Sequence, residues 1–433
     1  MKNYADLVKG RLSSLIKKIS EERQHYVKNP DTDFTRKRKL PLETVIQLII
    51  SMGGGSIYKE LLEAAGYDTA TATSSAFVQQ RSKLLPDTFE FLLHEFMQTH
   101  KDLKMHRGYR LLAADGADLH IATNPSDIET YAHNQYGGYN HLHLNALYDL
   151  KNKLYVDALV QPKNQENERK ALINMVNRSR ILGKVIAIGD RGFEGYNCFA
   201  HIERKGWNYL IRVKDINSNG ITSHLSLPDG EFDINIHRLL TRKQGSAQRQ
   251  PHLYKFLSNR HHFDFLPLGS DGVFPISFRV VRFRLDDGTF QTVITNLSQD
   301  DFSPKQLKNL YALRWGIETS FRALKYAVGL NFFHSKKREL IAQEIFARLI
   351  MYNFTEMITS HVVISQADNK HLYQVNFSVA VLVCRRFLRP WGNAPPLDVE
   401  ALIRKNILPV RNNRKFIRNV RSKRFFSFLY RVA

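Results

Sequence analysis

The chain has 433 residues, 43% of them hydrophobic, which predicts two or three structural units with a sizeable core. Its 63 lysines and arginines exceed its 41 aspartates and glutamates by 22, so the favoured partner is a polyanion such as nucleic acid, although a merely basic protein has the same balance. Two cysteines exclude a disulfide framework and indicate a reducing compartment, and the absence of a signal-peptide core or a long apolar run predicts a cytoplasmic protein without a membrane partner.

Residues 1–105 have a predominantly helical pattern. LPLETVIQLIISMG predicts a buried helix that ends at Gly53, and SIYKELLEAAGY and SSAFVQQRSKLL predict two short helices around a turn. This arrangement is compatible with a helix-turn-helix, in which Gln79, Gln80 and Arg81 would contact DNA. Ordinary short helices that pack against each other are the alternative. A basic cluster, Arg36–Lys39, precedes them.

From about residue 108 the pattern changes to strands. YRLLAADGADLHI, HLHLNALYDL and KLYVDALVQ predict an antiparallel meander. ENERKALINMVNRSRIL then predicts a helix, KVIAIGD a buried strand, YNCFAHIERKG a helix stopped by Gly206, and WNYLIRVK a strand. The order β-β-β-α-β-α-β predicts a mixed α/β (α+β) fold, with helices packed on a mixed sheet.

Between residues 215 and 303 the chain changes again. Short strands such as PISFRVVRFRL and QTVITNL alternate with Asp, Asn, Gly and Ser, which predicts an inserted β-rich unit. Residues 337–390 are predicted to be helical, and a tail without acidic residues follows Glu400. The tail interleaves basic residues with aromatics, a composition that suits phosphate contact and stacking on bases.

The segment YALRWGIETSFRALK, from Tyr311 to Lys325, predicts one helix. At about 100° per residue, one face of this helix carries a carboxylate among cations and a phenol, and the other face is apolar. The first face would carry Tyr311, Arg314, Glu318, Arg322 and Lys325, and the second Leu313, Ile317 and Leu324. Such a polar face suits a phosphate held near a carboxylate-bound metal ion, whereas an amphipathic surface helix with ordinary ion pairs is the alternative.

Two further carboxylates have favourable positions. Asp115 is predicted to end the first strand, and Asp190 to end the buried strand VIAIG at the turn DRGFEG. Sites in such sheets form at strand ends. If the first and fourth strands are neighbours, Asp115 and Asp190 lie close together and Glu318 approaches from its helix. Three carboxylates can hold two Mg²⁺ ions about 3.5–4 Å apart.

Other side chains compete for these roles. Asp118 could assist, but a carboxylate exposed in a turn is the alternative, and for Asp157 we favour a surface salt bridge over a metal ligand. The segment HLH places His141 and His143 on one strand face, where a zinc site is conceivable. The chain has no HExxH pattern and too few cysteines for a familiar zinc motif, so we favour the interpretation without zinc.

These motifs resemble the DDE transposases of bacterial insertion sequences, in the subgroup named after insertion sequence four. The signature of that subgroup is Tyr, two residues, Arg, three residues, Glu, six residues and Lys, which matches Tyr311, Arg314, Glu318 and Lys325. Asp115-Gly116 and GDRGF resemble the other two acidic motifs. NERKAL and SAFVQQRSKL also resemble family segments, so the resemblance covers roughly residues 35–370.

The resemblance implies an RNase H-like catalytic core interrupted by a β-rich insertion. We therefore expect a helical DNA-binding domain over 1–105, the first part of the core over 106–214, the insertion over 215–303, the last core helix over 304–330, and a helical C-terminal region with a basic tail over 331–433. Asp115, Asp190 and Glu318 would hold two Mg²⁺ ions, with Mn²⁺ as a substitute. Tyr311, Arg314 and Lys325 would grip phosphates near a flipped base, with Arg322 and Arg191 as further contacts.

The implied activity is cut-and-paste transposition, which acts on the terminal inverted repeats of the element and on target DNA. Water attacks at the element end, the freed 3′-hydroxyl closes a hairpin on the other strand, and the reopened end joins target DNA. Phe283 or Phe290 could stack on the flipped base. We expect a homodimer on double-stranded DNA in the bacterial nucleoid. A nuclease or resolvase that does not join strands, and a DNA-binding protein without catalysis, are the alternatives.

Overall fold

The structure is a computed structural model that describes residues 4–36, 39–135, 137–216, 218–364, 372–389 and 397–410. Lys37 and Arg38 of the basic cluster, and the part of the basic tail from Arg411 onward, lie outside the described residues. Among the helices in these ranges, none combines the length and apolar character needed to cross a membrane.

Ten strands of the described chain form one large sheet, in which antiparallel pairs predominate. Their bounds are β1 (Arg110–Ile121), β2 (Tyr131–Asn134), β3 (Gly137–Asp149), β4 (Leu154–Pro162), β5 (Val185–Gly189), β6 (Asn208–Val213), β7 (Phe232–Thr241), β8 (Tyr254–Phe256), β9 (Val273–Arg284) and β10 (Phe290–Thr295). They lie in the order β2-β3-β1-β5-β6-β10-β9-β7-β8, with β4 also paired to β3.

The centre of the sheet confirms that the first and fourth predicted strands are neighbours. β1 pairs antiparallel with β3 and parallel with β5, in a register that ends at Ala113 opposite Ile188. β5 stops one residue later, at Gly189, whereas β1 continues to Ile121. The prediction that Asp115 ends its strand was therefore wrong, because pairing with β3 carries β1 past this residue. One edge of β1 beyond Ala113 consequently extends past the end of β5.

The β-rich stretch predicted over 215–303 does not form a separate sheet. Its strands β7 to β10 extend the central sheet, because β10 pairs antiparallel with β6 in a register that sets Thr292 opposite Val213. Through β6, this stretch is therefore hydrogen-bonded into the same sheet as β5, the strand that leads to Asp190. The predicted insertion and the central strands therefore form one continuous β-structure.

The helices confirm the helical predictions at both ends of the chain. Their bounds are α1 (Tyr4–Glu21), α2 (Leu42–Ser51), α3 (Ile57–Ala64), α4 (Ser74–Arg81), α5 (Thr88–Gln98), α6 (Glu168–Arg178), α7 (Tyr196–Arg204), α8 (Gln244–Arg249), α9 (Pro304–Ala312), α10 (Trp315–Tyr326), α11 (Arg338–Thr359), α12 (Phe377–Leu388) and α13 (Val399–Lys405). Two short strands, β11 (Tyr373–Val375) and β12 (Ile407–Pro409), pair beside α12 and α13.

The N-terminal and C-terminal helices form one helical body around α11. This helix is buried over most of its length and packs against α1, α2, α5, α12 and α13, as well as against β4 of the sheet. Buried residues occupy nearly every side of this helix, as expected for a helix surrounded by other elements. The regions expected as separate N-terminal and C-terminal units therefore share a core.

The predicted single helix from Tyr311 to Lys325 is two helices, α9 and α10, which meet at Leu313 and Arg314. At this junction the amide groups of Leu313 and Arg314 bond three residues back instead of four, which tightens the chain by a 3₁₀-type turn. The turn changes the orientation of α10 relative to α9, so residues of the two helices do not share one continuous face. Leu313 is consequently 41% exposed, contrary to the prediction, while Ile317 and Leu324 are buried as predicted.

Candidate active site

Asp115 and Asp190 both follow the last paired residues of two neighbouring parallel strands. The register of β1 and β5 sets Ala113 opposite Ile188. Asp115 lies two residues further along β1, and Asp190 lies two residues after Ile188, just past the end of β5. Asp190 ends its strand in a turn, where its Oδ1 accepts a hydrogen bond from the amide of Gly192 at 2.7 Å. Asp115 is held within β1, where its Oδ1 accepts from the amide of Gly116 at 2.9 Å.

Glu318 approaches this pair from the first turn of α10, where the helix dipole favours a carboxylate. Arg314, at the start of the same helix, links it to the sheet. The guanidinium donates to Glu318 Oε1 at 2.5 Å and lies 3.6 Å from Asp115 Oδ2. These contacts bring two of the three predicted acidic residues to one cation.

The electrostatics of Asp115 indicate an excess of negative charge. Burial, together with the charges of Asp190 and Glu318, raises the pKa of the Asp115 carboxyl to about 6, against the opposing effects of the Gly116 amide and Arg314. Three acids and one bridging arginine therefore leave this carboxylate incompletely neutralised. A divalent cation is the ligand that such a donor set fits, because hard cations prefer carboxylate oxygens.

Tyr311 and Lys325 border the same site but differ in exposure. Tyr311 is only 7% exposed, its ring centre lies 5.9 Å from the guanidinium carbon of Arg314, and burial raises the pKa of its hydroxyl. Lys325 is half-buried and its Nζ donates to the backbone oxygen of Asp118 at 3.1 Å, on β1. Arg314 itself is 8% exposed, so the prediction that the motif residues share an open face was wrong for Tyr311 and Arg314.

The other predicted DNA contacts lie in two places. Arg322 is exposed on α10, and Arg191 is exposed directly after Asp190. Gln79 is exposed on α4 and Gln80 is half-buried there. The prediction that Arg81 contacts DNA is corrected, because its side chain is fully buried.

The burial of Arg81 has a structural cause. Its guanidinium bonds to Glu344 Oε1 at 2.9 Å and to the backbone oxygen of Leu340 at 2.8 Å, both on α11. Arg81 therefore joins α4 to α11 inside the helical body. Helical spacing alone therefore could not show that Arg81 faces the protein interior and not DNA.

A second group of side chains lies beside Gly116, and it includes Asp118, which the sequence offered as a residue that could assist, and Glu168, which the sequence did not assign to the site. His143 Nδ1 lies 2.8 Å from Asp118 Oδ1, and His143 Nε2 lies 3.2 Å from Glu168 Oε1. Burial alone would lower the pKa of His143, but these two carboxylates raise it to about 9. The hydrogen bond from His143 in turn lowers the pKa of Asp118 to about 2. The feature of the sequence that could have pointed to Glu168 is its position in the segment NERKAL, directly after Asn167, which caps the helix.

Within the described residues, two groups of three ligand side chains have their ligand atoms all within 4.8 Å: Asp118, His141 and Glu166, and Glu90, His94 and Asp157. The predicted acidic triad is spread more widely than either. In the second group Arg178 reaches within 2.5 Å of Asp157, which confirms the salt-bridge interpretation for this carboxylate, although it is buried. In the first group Lys163 pairs with Glu166 at 2.6 Å.

The two candidate stacking aromatics lie on paired strands of the insertion. Phe283 on β9 is 4% exposed and belongs to the core. Phe290 on β10 is partly exposed, with the guanidinium of Arg282 3.9 Å from its ring centre. Of the two, only Phe290 has surface that a base could contact.

Comparison with known proteins identifies the family of this constellation. The family model described as "Transposase DDE domain" matches residues 106–354, which is more than half of the chain and includes the three acidic motif residues. The matched range begins just before β1 and ends within α11.

Curated relatives match over shorter stretches. The putative transposase InsL of insertion sequence element IS186A from Escherichia coli strain K12 is 38% identical over 58 residues, which is 13% of this chain and 16% of the relative. The transposase of insertion sequence element IS1151 from Clostridium perfringens is 31% identical over 94 residues, which is 21% of this chain and 20% of the relative. The chain thus spans about a fifth or less of the length of these relatives.

Among solved structures, the chain is similar to the piggyBac transposase in a cryo-EM synaptic complex with hairpin DNA. The TM-score is 0.47 at 10% sequence identity, and the alignment covers 96% of this chain and 86% of that chain.

Proposed function

The chain belongs to the transposase DDE domain family, and we propose that it moves an insertion sequence by cutting DNA at the ends of the element and joining them to a target. The observation that carries this proposal is the placement of the acidic motifs. Asp115 and Asp190 each lie two residues past the last residue pair that joins the parallel strands β1 and β5, and Arg314 connects Asp115 to Glu318. The family implies a divalent metal.

The donor set fits the metal that the family implies. Asp115, Asp190 and Glu318 would hold two Mg²⁺ ions, for which Mn²⁺ could substitute, and the raised pKa of Asp115 is the observation that supports the fit. When bound there, the ions activate water or a 3′-hydroxyl and stabilise the leaving oxygen of the phosphodiester. The wider spacing of the three carboxylates is compatible with two ions rather than one.

Arg314 and Tyr311 would bind phosphate beside the metal ions. Arg314 Nε is buried and has no hydrogen-bond partner among the described residues, and a buried donor of this kind is costly unless a ligand satisfies it. The Tyr311 hydroxyl stays protonated because burial raises its pKa, so it can donate to a phosphate oxygen. Lys325, Arg322 and Arg191 would extend these contacts along the DNA backbone.

We further propose that the central strands β1 and β3–β6 with α6, α7 and α10 form an RNase H-like core, and that β7–β10 form its insertion. The partners would be the terminal inverted repeats and target DNA, engaged by a homodimer, and the cut ends would pass through a hairpin. The net charge of +22 supports a nucleic-acid partner.

The test is to measure nicking, hairpin formation and joining on a labelled element end with Mg²⁺, for Asp115→Asn, Asp190→Asn and Glu318→Gln. Each variant should lose more than about 100-fold in nicking, since even partners of metal ligands contribute about 10–100-fold, while DNA binding persists. Asp286→Asn is the control, because Asp286 is 99% exposed and pairs only with Lys308 in the described structure.

The outcomes separate the candidate functions. Nicking without joining by the wild type would favour a nuclease or resolvase. DNA binding without nicking, unchanged by the three substitutions, would favour a protein that binds DNA without catalysis. Near-normal nicking by any one acidic variant would remove that residue from the proposed metal site.

A further inference from the structure

Glu168 is fixed at the start of α6, on the side of the sheet that carries Asp118 and His143. Asn167 caps this helix, and its side chain accepts from the amide of Lys170 at 3.0 Å. The amide of Asn167 donates to Gln161 Oε1 on β4 at 3.1 Å. The cap and the strand together determine where the Glu168 side chain leaves the helix.

The Glu168 carboxylate occupies the space left by two glycines, each of which lies near a predicted catalytic aspartate. Its Oε1 lies 2.6 Å from the position that a Cβ on Gly116 would take, and its Oε2 lies 2.8 Å from the corresponding position on Gly192. Asp190 Oδ1 lies 3.0 Å from that same position on Gly192. Glu168 and Asp190 therefore direct one carboxylate oxygen each toward the same small volume.

His143 and Asp118 hold the other side of the Glu168 carboxylate. His143 is 5% exposed, and its two ring nitrogens contact Asp118 and Glu168. The imidazole engages only Oε1 of Glu168, so Oε2 remains directed at Gly192 and Asp190. A purely structural ion pair with His143 would not need a glycine at position 192.

We propose that Glu168 is a fourth carboxylate of the metal site, which binds a divalent cation together with Asp190, and that His143 and Asp118 are positioning residues for it. This inference rests on the proposed function, because the cation is the one that Asp115, Asp190 and Glu318 would hold. The ligand class is a hard divalent ion, Mg²⁺ or Mn²⁺, since all four groups offer carboxylate oxygen.

The first test measures Mn²⁺ binding to the full chain without DNA, by calorimetry and by the electron paramagnetic resonance signal of free Mn²⁺. Glu168→Gln should weaken binding by about tenfold or more, as Asp190→Asn should. Glu339→Gln is the control, because it removes the same charge from a residue that is 60% exposed, pairs with Lys28 and belongs to neither group of ligand side chains. It should bind Mn²⁺ like the wild type.

The results distinguish the two proposals. If Asp190→Asn loses Mn²⁺ and Glu168→Gln retains it, Glu168 is not a ligand and the proposed function stands. If the wild type binds no Mn²⁺, or if Asp115→Asn and Asp190→Asn bind it normally, the metal site of the proposed function fails, and the role of Glu168 fails with it.

A second variant tests the geometry without changing a charge. In Gly192→Ala the new methyl group would lie 2.8 and 3.0 Å from the Glu168 and Asp190 oxygens, so both carboxylates must move and Mn²⁺ binding should weaken. Gly195→Ala is the control, because Gly195 has extended backbone and its nearest neighbour, Arg169, would lie 3.7 Å away. Normal Mn²⁺ binding by a folded Gly192→Ala protein would overturn the shared site.

The positioning role has its own readout. Asp118→Asn should weaken Mn²⁺ binding by less than Glu168→Gln does, because the ligand remains and only its orientation is lost. The metal-free melting temperature of the same variant separates this effect from unfolding. Loss of melting stability with unchanged Mn²⁺ affinity per folded molecule would show that the His143–Asp118 pair has only a structural role.

Discussion

Two regions of the molecule place acids beside arginines and differ in the balance of charge. The proposed catalytic face consists of Asp115, Asp190, Glu318, Arg314 and Tyr311. The buried network of the helical body consists of Glu344, Arg81, His334 and Arg348. Each centres on a carboxylate that is largely removed from solvent, Asp115 in the first and Glu344 in the second.

The carboxylate in the buried network is the more deeply buried of the two, yet it is the one held in its charged form. Glu344 is 1% exposed, accepts from Arg81 and from the amide of His334, and lies 3.0 Å from the His334 ring nitrogen Nδ1. The charges of Arg81 and Arg348, with the hydrogen bonding of His334, hold its pKa below the ordinary value against the effect of burial. Asp115 faces one arginine and two like charges, and its pKa is raised. Burial raises the pKa of both carboxyls, so the direction of each shift depends on whether the neighbouring cations and hydrogen bonds outweigh burial.

The two regions therefore differ in role: one stabilises the fold, and the other is proposed to bind a metal ion. In the buried network, the ion pairs tie α4 and the loop before α11 to α11 itself, so its charges are balanced within the protein. On the proposed catalytic face the charge balance is incomplete, and we propose that an external cation completes it. Four predictions sharpen or break this comparison, from the largest expected effect to the smallest.

Arg81→Met should be the most destabilising change, because it leaves the Glu344 charge buried without its main partner. Loss of one member of such a pair costs about 3–5 kcal/mol of unfolding free energy, measurable by denaturant titration. The double variant Arg81→Met/Glu344→Gln removes the orphaned charge and keeps an acceptor for His334, so it should recover part of the loss. A stable single variant that has lost DNA affinity would instead restore Arg81 as a DNA contact.

Asp115→Asn should change the free energy of unfolding in the opposite direction and stabilise the metal-free protein. The folded pKa of Asp115 is about 6 and the unfolded value 3.8, so its contribution to stability is present below about pH 4 and is lost as the pH rises through 6. At pH 7.5 the variant should be more stable than the wild type by about 1–3 kcal/mol, and the two should converge at pH 4.

The pH profile makes this prediction specific. Asp286→Asn, an exposed substitution of the same kind, should follow the wild type at every pH. Saturating Mg²⁺ should reverse the order, because only the wild type retains the full donor set. A stability difference that persists unchanged at pH 4 would mean that the Asp115→Asn substitution acts through packing and not through charge.

Arg314→Ala and Lys325→Ala should differ in their cost to the unfolding free energy, although both cations belong to the same motif. Arg314 bridges Asp115 and Glu318 and is buried, so its truncation should cost about 1–3 kcal/mol of unfolding free energy. Lys325 bonds to a backbone oxygen and is half-buried, so its truncation should cost no more than about 0.5 kcal/mol. Both should impair joining more than nicking. Equal melting temperatures for the two variants would contradict the bridging role of Arg314.

The sequence predicted the elements well because hydrophobic periodicity reports local packing. The strand VIAIG and the helices of NERKAL and LIAQEIFARL are at their predicted places, and the neighbouring placement of β1 and β5 agrees with the condition under which the sequence brought Asp115 and Asp190 together. These features depend on patterns within short windows and on right-handed connections between neighbouring strands.

The failures depend on contacts between distant residues. Nothing in the helical spacing of SSAFVQQR indicates that Arg81 meets Glu344, which lies 263 residues away. The turn at Leu313 and Arg314 interrupts a segment without proline, so local propensity could not reveal it. Glu168 was left unassigned because its proposed role depends on the space that Gly116 and Gly192 leave for its carboxylate, which only a three-dimensional structure shows.

Arg322→Gln should have the smallest effect on folding and a defined effect on DNA binding. Arg322 is exposed on α10, one helical turn beyond Glu318, so its loss should change the unfolding free energy by less than about 0.5 kcal/mol. If it contacts one phosphate, the slope of log K against log salt should flatten by about 0.9. Lys17→Gln removes the same charge from α1, where Lys17 is 68% exposed, and controls for net charge alone. Equal flattening by both variants would mean that Arg322 acts only through long-range charge, and an unchanged slope for Arg322→Gln would remove it from the DNA path.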